Sequence, residues 1–494
     1  MKIRDLLDGL DDFQLMGDPE IEVGGLCHDS RRAEPGDVFF SLAGKRTDGH
    51  HFIQEALIRG ARVLVVSRFM NLAPGTAYLY TGDVRKAMSV ISRNYYGRPD
   101  QRLVMLGVTG TNGKTTTGTC AAHLLQSAGA GPGLVSTVEN WIGGSRVPAE
   151  HTTPEAPEFF RLLREMVENH NKYAVIEVSS HGLALKRLYG CRFAKSLFTN
   201  LSHEHFDFHG GFPQYLDAKR KLFFLSDLGI LNRDDRFFND LSAGLAIPFA
   251  TYGLEGEADY RAVRVEFGDR FFTADFVFKG QPAQVRVPLL GTHNVYNALA
   301  AAALVREAGM PVRDIVRGLA SFRGVAGRME VIEEGQPFCV MVDYAHTPDG
   351  LAKLLKTLRA MTGGRIILIF GCRGERDPYK RPRMGEIAAA DTDLCWITND
   401  SPYGEDPGQI IRAVEEGFRA VKKTGCFIQP DRRGAFKEAV ASARRGDIVV
   451  AAGRGHEQYI YQGDQIISFD DREVFREILR GYDGGRMESR TAGS

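Results

Sequence analysis

The chain has 494 residues, enough for about three domains. Its 62 basic and 62 acidic side chains cancel to a net charge of zero, and its 43% hydrophobic and 25% charged fractions are those of an ordinary globular protein. That balance argues against a nucleic-acid or membrane surface. No apolar run reaches the roughly 18 residues that a membrane helix needs, and the N-terminus, MKIRDLLDGLDDF, is too acidic for a signal peptide. The seven cysteines are scattered without a CxxC pair and read as free thiols, which places the protein in a reducing cytoplasm.

Taken in order, residues 37–42 and 62–67 read as short strands around a helix at 52–59, a small α/β unit. Its polar stretches at 28–31 and 44–50 read, by themselves, as solvated loops. Residues 96–100, Tyr-Gly-Arg-Pro-Asp, read as a linker. A buried strand follows from 103, then the turn Gly110-Thr111-Asn112-Gly113-Lys114-Thr115, then a helix over 116–127 capped by Gly129. Glycines at 110 and 113 let the backbone approach phosphate oxygens, and the helix N-terminus favours an anion. Lys114 adds a point charge, and the Thr115 hydroxyl suits Mg²⁺. Val108 stands where the longer phosphate-loop spacing has glycine, so this is the shorter TGTNGKT form.

Strand signals recur at 173–177 and 196–201, each ending in polar residues. Strands alternating with helices argue for a parallel sheet, whose ligands sit at the carboxyl ends of the strands. Thr115, Glu177, His181 and Asn200 would therefore face one crevice. Glu177 reads as a metal ligand or an orienter of metal-bound water, or else as a carboxylate bonded to a helix N-terminus. The cluster His203, Glu204, His205, Asp207, His209 fits no structural zinc spacing. Residues 255–290 are β-rich, and Asn294 opens an Ala-rich helix, where it reads as a cap. Further strands at 338–342, 365–370, 394–398 and 447–452, each ending in a polar motif, form a second doubly wound unit. The Gly-, Arg- and Ser-rich tail from 481 reads as disordered.

Several ordered motifs now stand together: DSR at 29–31, TGTNGKT at 109–115, TTPE at 152–155, EVSSHGL at 177–183, TNL with HxDxH at 199–209, AK at 218–219, GxHN at 291–294, GRME at 327–330, DYAHTPD at 343–349, KRPxM at 380–384 and GxGHE at 453–457. Together they resemble the Mur ligase family over about residues 20–475, and within it the UDP-N-acetylmuramyl-tripeptide synthetases. The resemblance implies an α/β protein of three domains. These are a small N-terminal α/β domain at 1–97 for UDP, a central P-loop doubly wound parallel sheet at 98–330 for ATP, and a C-terminal Rossmann-like sheet at 331–480 for the amino acid. It further implies an ATP-dependent ligase of peptidoglycan precursor synthesis. The D-Glu γ-carboxylate of UDP-N-acetylmuramoyl-L-Ala-D-Glu would be phosphorylated and the acyl phosphate attacked by a diamino acid. A carboxylate is a poor acyl donor, and phosphorylation supplies the leaving group; positioning and charge neutralisation do the rest. The protein is expected to act as a monomer on small-molecule substrates.

By resemblance Lys114, Lys219 and His205 are catalytic, and Thr115, Glu177, His205 and Lys219 surround Mg²⁺, with Lys219 carried as a carbamate. Taken alone, Lys219 reads as a surface helix lysine. Gly110, Thr111, Asn112, Gly113, Lys114, Thr115, Thr116, Asn294 and Arg328 match ATP contacts. Ser30, Thr152, Thr153, Ser179 and Arg187 match contacts to the UDP-sugar peptide. Leu185 replaces a common glutamine there, and Glu204 a common aspartate. Arg376, Asp400, Ser401, Tyr403, Gly453 and Glu457 fall at the amino-acid site. The family motif DNPR reads Asp400-Ser401-Pro402-Tyr403 here, so the arginine that grips a distal carboxylate is missing. Either the substrate lacks that carboxylate, as L-lysine and L-ornithine do, or charge for meso-diaminopimelate comes from Arg373 or Arg454, which replace a common glycine and a common lysine. A superfamily relative such as folylpolyglutamate synthetase, a non-catalytic nucleotide-binding subunit and a plain P-loop phosphotransferase are the rival readings.

Overall fold

The computed structural model describes residues 1–44, 47–69, 75–202, 204–268 and 270–482. Lys45, Arg46, His203 and the tail beyond 482 lie outside the described residues, as does the Asp207 side chain. Three sheets carry the fold. The first has five strands in the order Gln14–Met16, Ala77–Tyr80, Val63–Val66, Val38–Phe40, Leu26–Cys27. All its pairings are parallel except that of the edge strand Gln14–Met16.

The second sheet has eleven strands. Val104–Thr109 lies at its centre, between Lys195–Phe198 and Tyr173–Glu177, both parallel to it. The central strands are parallel, as expected of a doubly wound sheet, and antiparallel hairpins extend it at both edges. Glu139–Ile142 and Ser145–Pro148 form one, and Tyr260–Phe267, Phe272–Phe278 and Gln281–Val287 the other. Strands buried on both faces read as apolar runs, while these edges alternate with polar residues. Burial in Phe272–Phe278 alternates only partly, so sequence pattern alone could not place it in this sheet.

The helix Lys114–Ser127 starts two residues earlier than its apolar pattern suggests, and Gly129 closes it with φ +74°. It packs with Thr292–Glu307 on one sheet face, where the alanines of the latter allow close approach. The opposite face carries Ala156–Glu168. That apolar cluster continues without a break into the first sheet's helix Val84–Tyr95, joining Met88 and Ile91 to Phe159, Phe160 and Ile176. The connection at 96–100 is ordered: Pro99–Arg102 forms a 3-10 turn, and buried Asp100 pairs with Arg93 at 2.9 and 3.0 Å.

The third sheet has the order Glu330–Ile332, Cys339–Asp343, Ile448–Ala452, Ile366–Phe370, Leu394–Ile397, Cys426–Ile428, parallel except for its first strand. A hairpin, Tyr459–Gln462 with Gln465–Ser468, stands beside it. Beneath it Arg432 grips Asp471 at 2.9 and 2.5 Å, both fully buried. Removing one partner of such a pair strands a charge in the core. Arg432→Ala is therefore expected to lower unfolding stability by about 3–5 kcal/mol, read by chemical denaturation. A loss within experimental error of zero would contradict it.

Candidate active site

The central site grows from the end of the strand Val104–Thr109. Gly110 takes φ +146°, and a Cβ there would lie 1.8 Å from Thr199 Oγ1. Gly113 takes φ +83°, where a Cβ would lie 2.3 Å from Asn297 Oδ1. Glycine is thus required at both. Helix Lys114–Ser127 has no side-chain cap, and its first internal bond runs from Thr117 N to Gly113 O at 2.9 Å. The N–H groups of Lys114, Thr115 and Thr116 begin the helix ahead of that bond, the arrangement that receives an anion. The turn is braced from the next strand: Thr111 N donates to Asn200 O (2.8 Å) and Asn112 N to Asn200 Oδ1 (3.0 Å). A phosphate chain fits this cradle.

Glu177 ends its strand fully buried. Its carboxylate accepts from Thr115 Oγ1 (3.1 Å), Thr137 N (3.1 Å) and Thr137 Oγ1 (3.0 Å). Burial pushes its pKa up, and Lys114 opposes that. A hydroxyl and a carboxylate are hard oxygen donors that fit Mg²⁺. Among the described residues no cluster of three or more His, Cys, Asp and Glu could hold a metal by itself.

Lys114 Nζ donates to Gly110 O (3.0 Å) and Thr111 O (2.7 Å). Lys219 is buried rather than on the surface; its Nζ donates to the same Gly110 oxygen at 2.6 Å and lies 4.4 Å from the centre of the Tyr215 ring. Burial, then the Lys114 charge, push the Lys219 pKa well below the usual lysine value. Burial also pushes Glu204 up, but His205, Lys114, His346 and Lys219 together hold its carboxyl below the usual range. His205 stands beside Glu204, Nε2 to Oε1 3.7 Å, with φ +57°.

A cleft of about 820 Å³ opens beside the cradle. Asn112, Gly113, Thr116, Asn200 and Asn294 line one wall; Arg328, Asp343, Tyr344 and His346 line the other. Arg328 stacks over Tyr344 at 4.2 Å, and Asn112 Nδ2 reaches across to Asp349 at 3.2 Å. Asn294 is not a cap. It lies inside the first turn of Thr292–Glu307, donating to Leu290 O (2.9 Å) and accepting from Asn297 (3.1 Å).

Thr152, Thr153, Ser179 and Arg187 gather near the end of the Glu177 strand. Thr152 lies 3.0 Å from Thr137 Oγ1; buried Thr153 donates to Glu177 O and accepts from Ser179 N; Ser179 caps the helix Ser180–Ala184. Arg187 holds Thr153 O (2.6 Å) and Glu155 (2.5 Å), and Arg85 approaches the same Glu155. Ser30 is buried in the first unit, donating to Glu55 at 2.6 Å. Thr137 was missed from sequence. It belongs to no motif, and its one signal is its place just past the strand Pro132–Val135.

At the third sheet Asp400 and Ser401 are buried, and Gly453 takes φ +109°. Tyr403 takes φ +53° and stacks on Tyr461, ring centres 5.5 Å apart. Glu457 receives Arg373. Arg376 sits on an exposed rim. Arg454 needs correction as a pocket residue. It is fully buried, spent on Asp400 (3.4 Å), Asp471 (3.3 Å) and the carbonyls of Tyr459 (3.1 Å) and Phe469 (2.9 Å).

A phosphate cradle facing a second α/β sheet across a cleft is the architecture of a nucleotide-dependent enzyme. Three family descriptions match: "Mur ligase family, catalytic domain" over residues 22–98, "Mur ligase middle domain" over 108–305 and "Mur ligase, glutamate ligase domain" over 327–455. The chain belongs to the Mur ligase family. UDP-N-acetylmuramoyl-L-alanyl-D-glutamate–2,6-diaminopimelate ligase 1 of Clostridium acetobutylicum is 38% identical over 97% of this chain and 99% of its own. The ligase of that description from Clostridium tetani is 39% identical, with the same coverage. A solved structure of a ligase so described is 30% identical, covers 97% and 99% of the two chains and has a TM-score of 0.68. MurF ligase from Thermotoga maritima in complex with ADP, 19% identical over 94% and 97%, shares the fold with a TM-score of 0.61.

Gly113→Ala is expected to weaken ADP binding about tenfold or more, measured by calorimetry, because the new Cβ meets Asn297 in a backbone region that costs an L-residue energy. Unchanged affinity would contradict the cradle.

Proposed function

We propose that this enzyme adds 2,6-diaminopimelate to the D-Glu γ-carboxylate of UDP-N-acetylmuramoyl-L-Ala-D-Glu at the expense of ATP, through an acyl phosphate. The observation that carries the reading is the shared cleft: the phosphate cradle forms one wall and groups of the third sheet the other. A ligase needs that geometry, because phosphoryl donor, carboxylate and amine must meet out of water. The diaminopimelate ligases to which nearly the whole chain is similar favour this reading over folylpolyglutamate synthetase, a non-catalytic subunit or a phosphotransferase.

In this reading Gly110 to Thr116, Asn294 and Arg328 hold ATP, while Thr115 and Glu177 hold Mg²⁺, with His205 and Lys219 at a second metal. The metal would neutralise charge building on the phosphoryl oxygens. Lys114 holds the transferring group in place. Ser30, Thr152, Thr153, Ser179 and Arg187 hold the UDP-sugar peptide; Arg187 would exchange Glu155 for a substrate anion. Arg376, Asp400, Ser401, Tyr403, Gly453 and Glu457 surround the amino acid. Lys219 acts as a carbamate. Two amines on the Gly110 carbonyl oxygen repel, and a buried amine driven toward neutrality can add carbon dioxide, releasing a proton and reversing the sign of its charge. The enzyme works as a cytoplasmic monomer, without nucleic-acid or membrane partners.

The test is phosphate release with the UDP-dipeptide and Mg-ATP, comparing meso-diaminopimelate, L-lysine and L-ornithine. Release with none of the three would end the reading. Lys114→Ala and Lys219→Ala should each abolish ligation, and a short carboxylic acid should partly rescue the second. Near-normal turnover in either variant would refute its role, and absent rescue would refute the carbamate.

A further inference from the structure

The third unit contains a line of alternating charges that runs from its core to the surface. Arg432 pairs with Asp471 at 2.5 Å, Asp471 with Arg454 at 3.3 Å, Arg454 with Asp400 at 3.4 Å, Asp400 with Arg373 at 3.8 Å, and Arg373 with Glu457. The first four side chains are 0–2% exposed, whereas Arg373 is 16% and Glu457 21% exposed. The line holds three cations and three anions, so its two outermost members meet solvent as a balanced pair. Among the described residues, buried Arg373 Nε has no hydrogen-bond partner.

Resting on the proposed ligase reading, we propose that Arg373, with Glu457, is the specificity determinant that receives the unreacting amino-acid head of diaminopimelate. The head's carboxylate takes the Arg373 fork and its ammonium takes Glu457.

The argument is one of charge exchange. A neutral pair of opposite ions is matched by a ligand that is itself a neutral pair. A zwitterionic head opens the Arg373–Glu457 bridge and replaces each half with an equivalent partner. A lone distal ammonium, as in lysine or ornithine, takes Glu457 and leaves Arg373 facing a cation. Lys380, whose amine donates to His346 O at 3.0 Å and whose charge acts on Arg373, adds to that repulsion. Two alternatives for the carboxylate are closed. Arg454 has no exposed surface and its fork is spent. Tyr403 carries no cation and is bound to the hairpin: its N–H donates to Tyr461 O at 3.0 Å, its carbonyl accepts from Gly463 N at 2.7 Å, and its ring stacks on Tyr461.

The experiment measures kcat and KM of the purified full chain for meso-diaminopimelate and L-lysine, with UDP-dipeptide and Mg-ATP saturating, in wild type, Arg373→Gln and Arg373→Lys. Wild type should prefer meso-diaminopimelate. Arg373→Gln should raise its KM roughly tenfold to hundredfold, the worth of a charge-assisted hydrogen bond, with kcat little changed. The lysine value of kcat/KM should stay level or rise, and the KM for ATP should not move. Arg373→Lys, which keeps charge but loses the fork, should fall between. An unchanged preference in Arg373→Gln with intact ATP kinetics would overturn the proposal and leave the ligase reading standing, whereas a wild type that prefers L-lysine would overturn the proposal together with the assignment of diaminopimelate and leave only an ATP-dependent ligase. Wild type inactive with both amino acids would overturn the ligase reading and this proposal with it. If Arg373→Gln loses its ATP kinetics, Arg373→Lys decides alone: full wild-type preference there refutes the fork.

Discussion

The carbonyl oxygen of Gly110 accepts from two lysine amines, and the central site is arranged around that crowding. A site for a polyanion must gather cations beforehand, and cations gathered in a buried place repel one another. Here backbone oxygens at Gly110 and Thr111 and the carboxylate of Glu204 take up the charge. The oxygen can face both amines because Gly110 adopts a conformation closed to other residues. Thr199 Oγ1 fills the space where its side chain would be and donates to Asn112 O at 2.7 Å. One glycine thus sets the direction of the carbonyl, the depth of the loop and its bond to the neighbouring strand.

The same loop was the most legible part of the sequence, for a physical reason. Strand, glycine turn, lysine and helix follow one another along the chain, so local chemistry specifies them without tertiary information. Glu177 was legible because a carboxylate closing an apolar strand has few sustainable places. Thr137 was not, since its role exists only where two strands bring it beside Glu177. Asn294 was misread as a cap because a polar residue opening a helix has two possible partners, the helix end or the preceding chain. It takes the Leu290 carbonyl. The edge strands within 255–290 were legible as β structure but not as a continuation of the central sheet, and the hairpin at 139–148 was not read at all, because register and neighbours are not local properties.

Arg373 and Arg454 look equivalent in sequence, each an arginine in a loop beside the expected pocket. Depth separates them. Gly453, at φ +109°, precedes Arg454, whose side chain lies beneath the hairpin Tyr459–Gln462 and Gln465–Ser468, where backbone carbonyls and two carboxylates consume it. Arg373 follows strand Ile366–Phe370 and keeps 16% of its side chain exposed beside Glu457. Nothing in the one-dimensional pattern orders the two residues along the direction from core to surface.

A buried line of ions is weak evidence for stability, since apolar residues of the same volume often serve as well. Its value here lies in constraint. Burial pushes the Asp400 carboxyl up, but Arg373, Arg454 and Arg432 together hold it below the usual carboxylate range, so it stays an anion that fixes Arg373 from behind. Each interior charge has partners on both sides and cannot move without stranding another. Glu457 and Arg373, at the end of the line, have solvent on one side and can exchange partners at small cost. Recognition therefore falls to the one pair with freedom to rearrange, while the rigid pairs beneath it hold that pair in place.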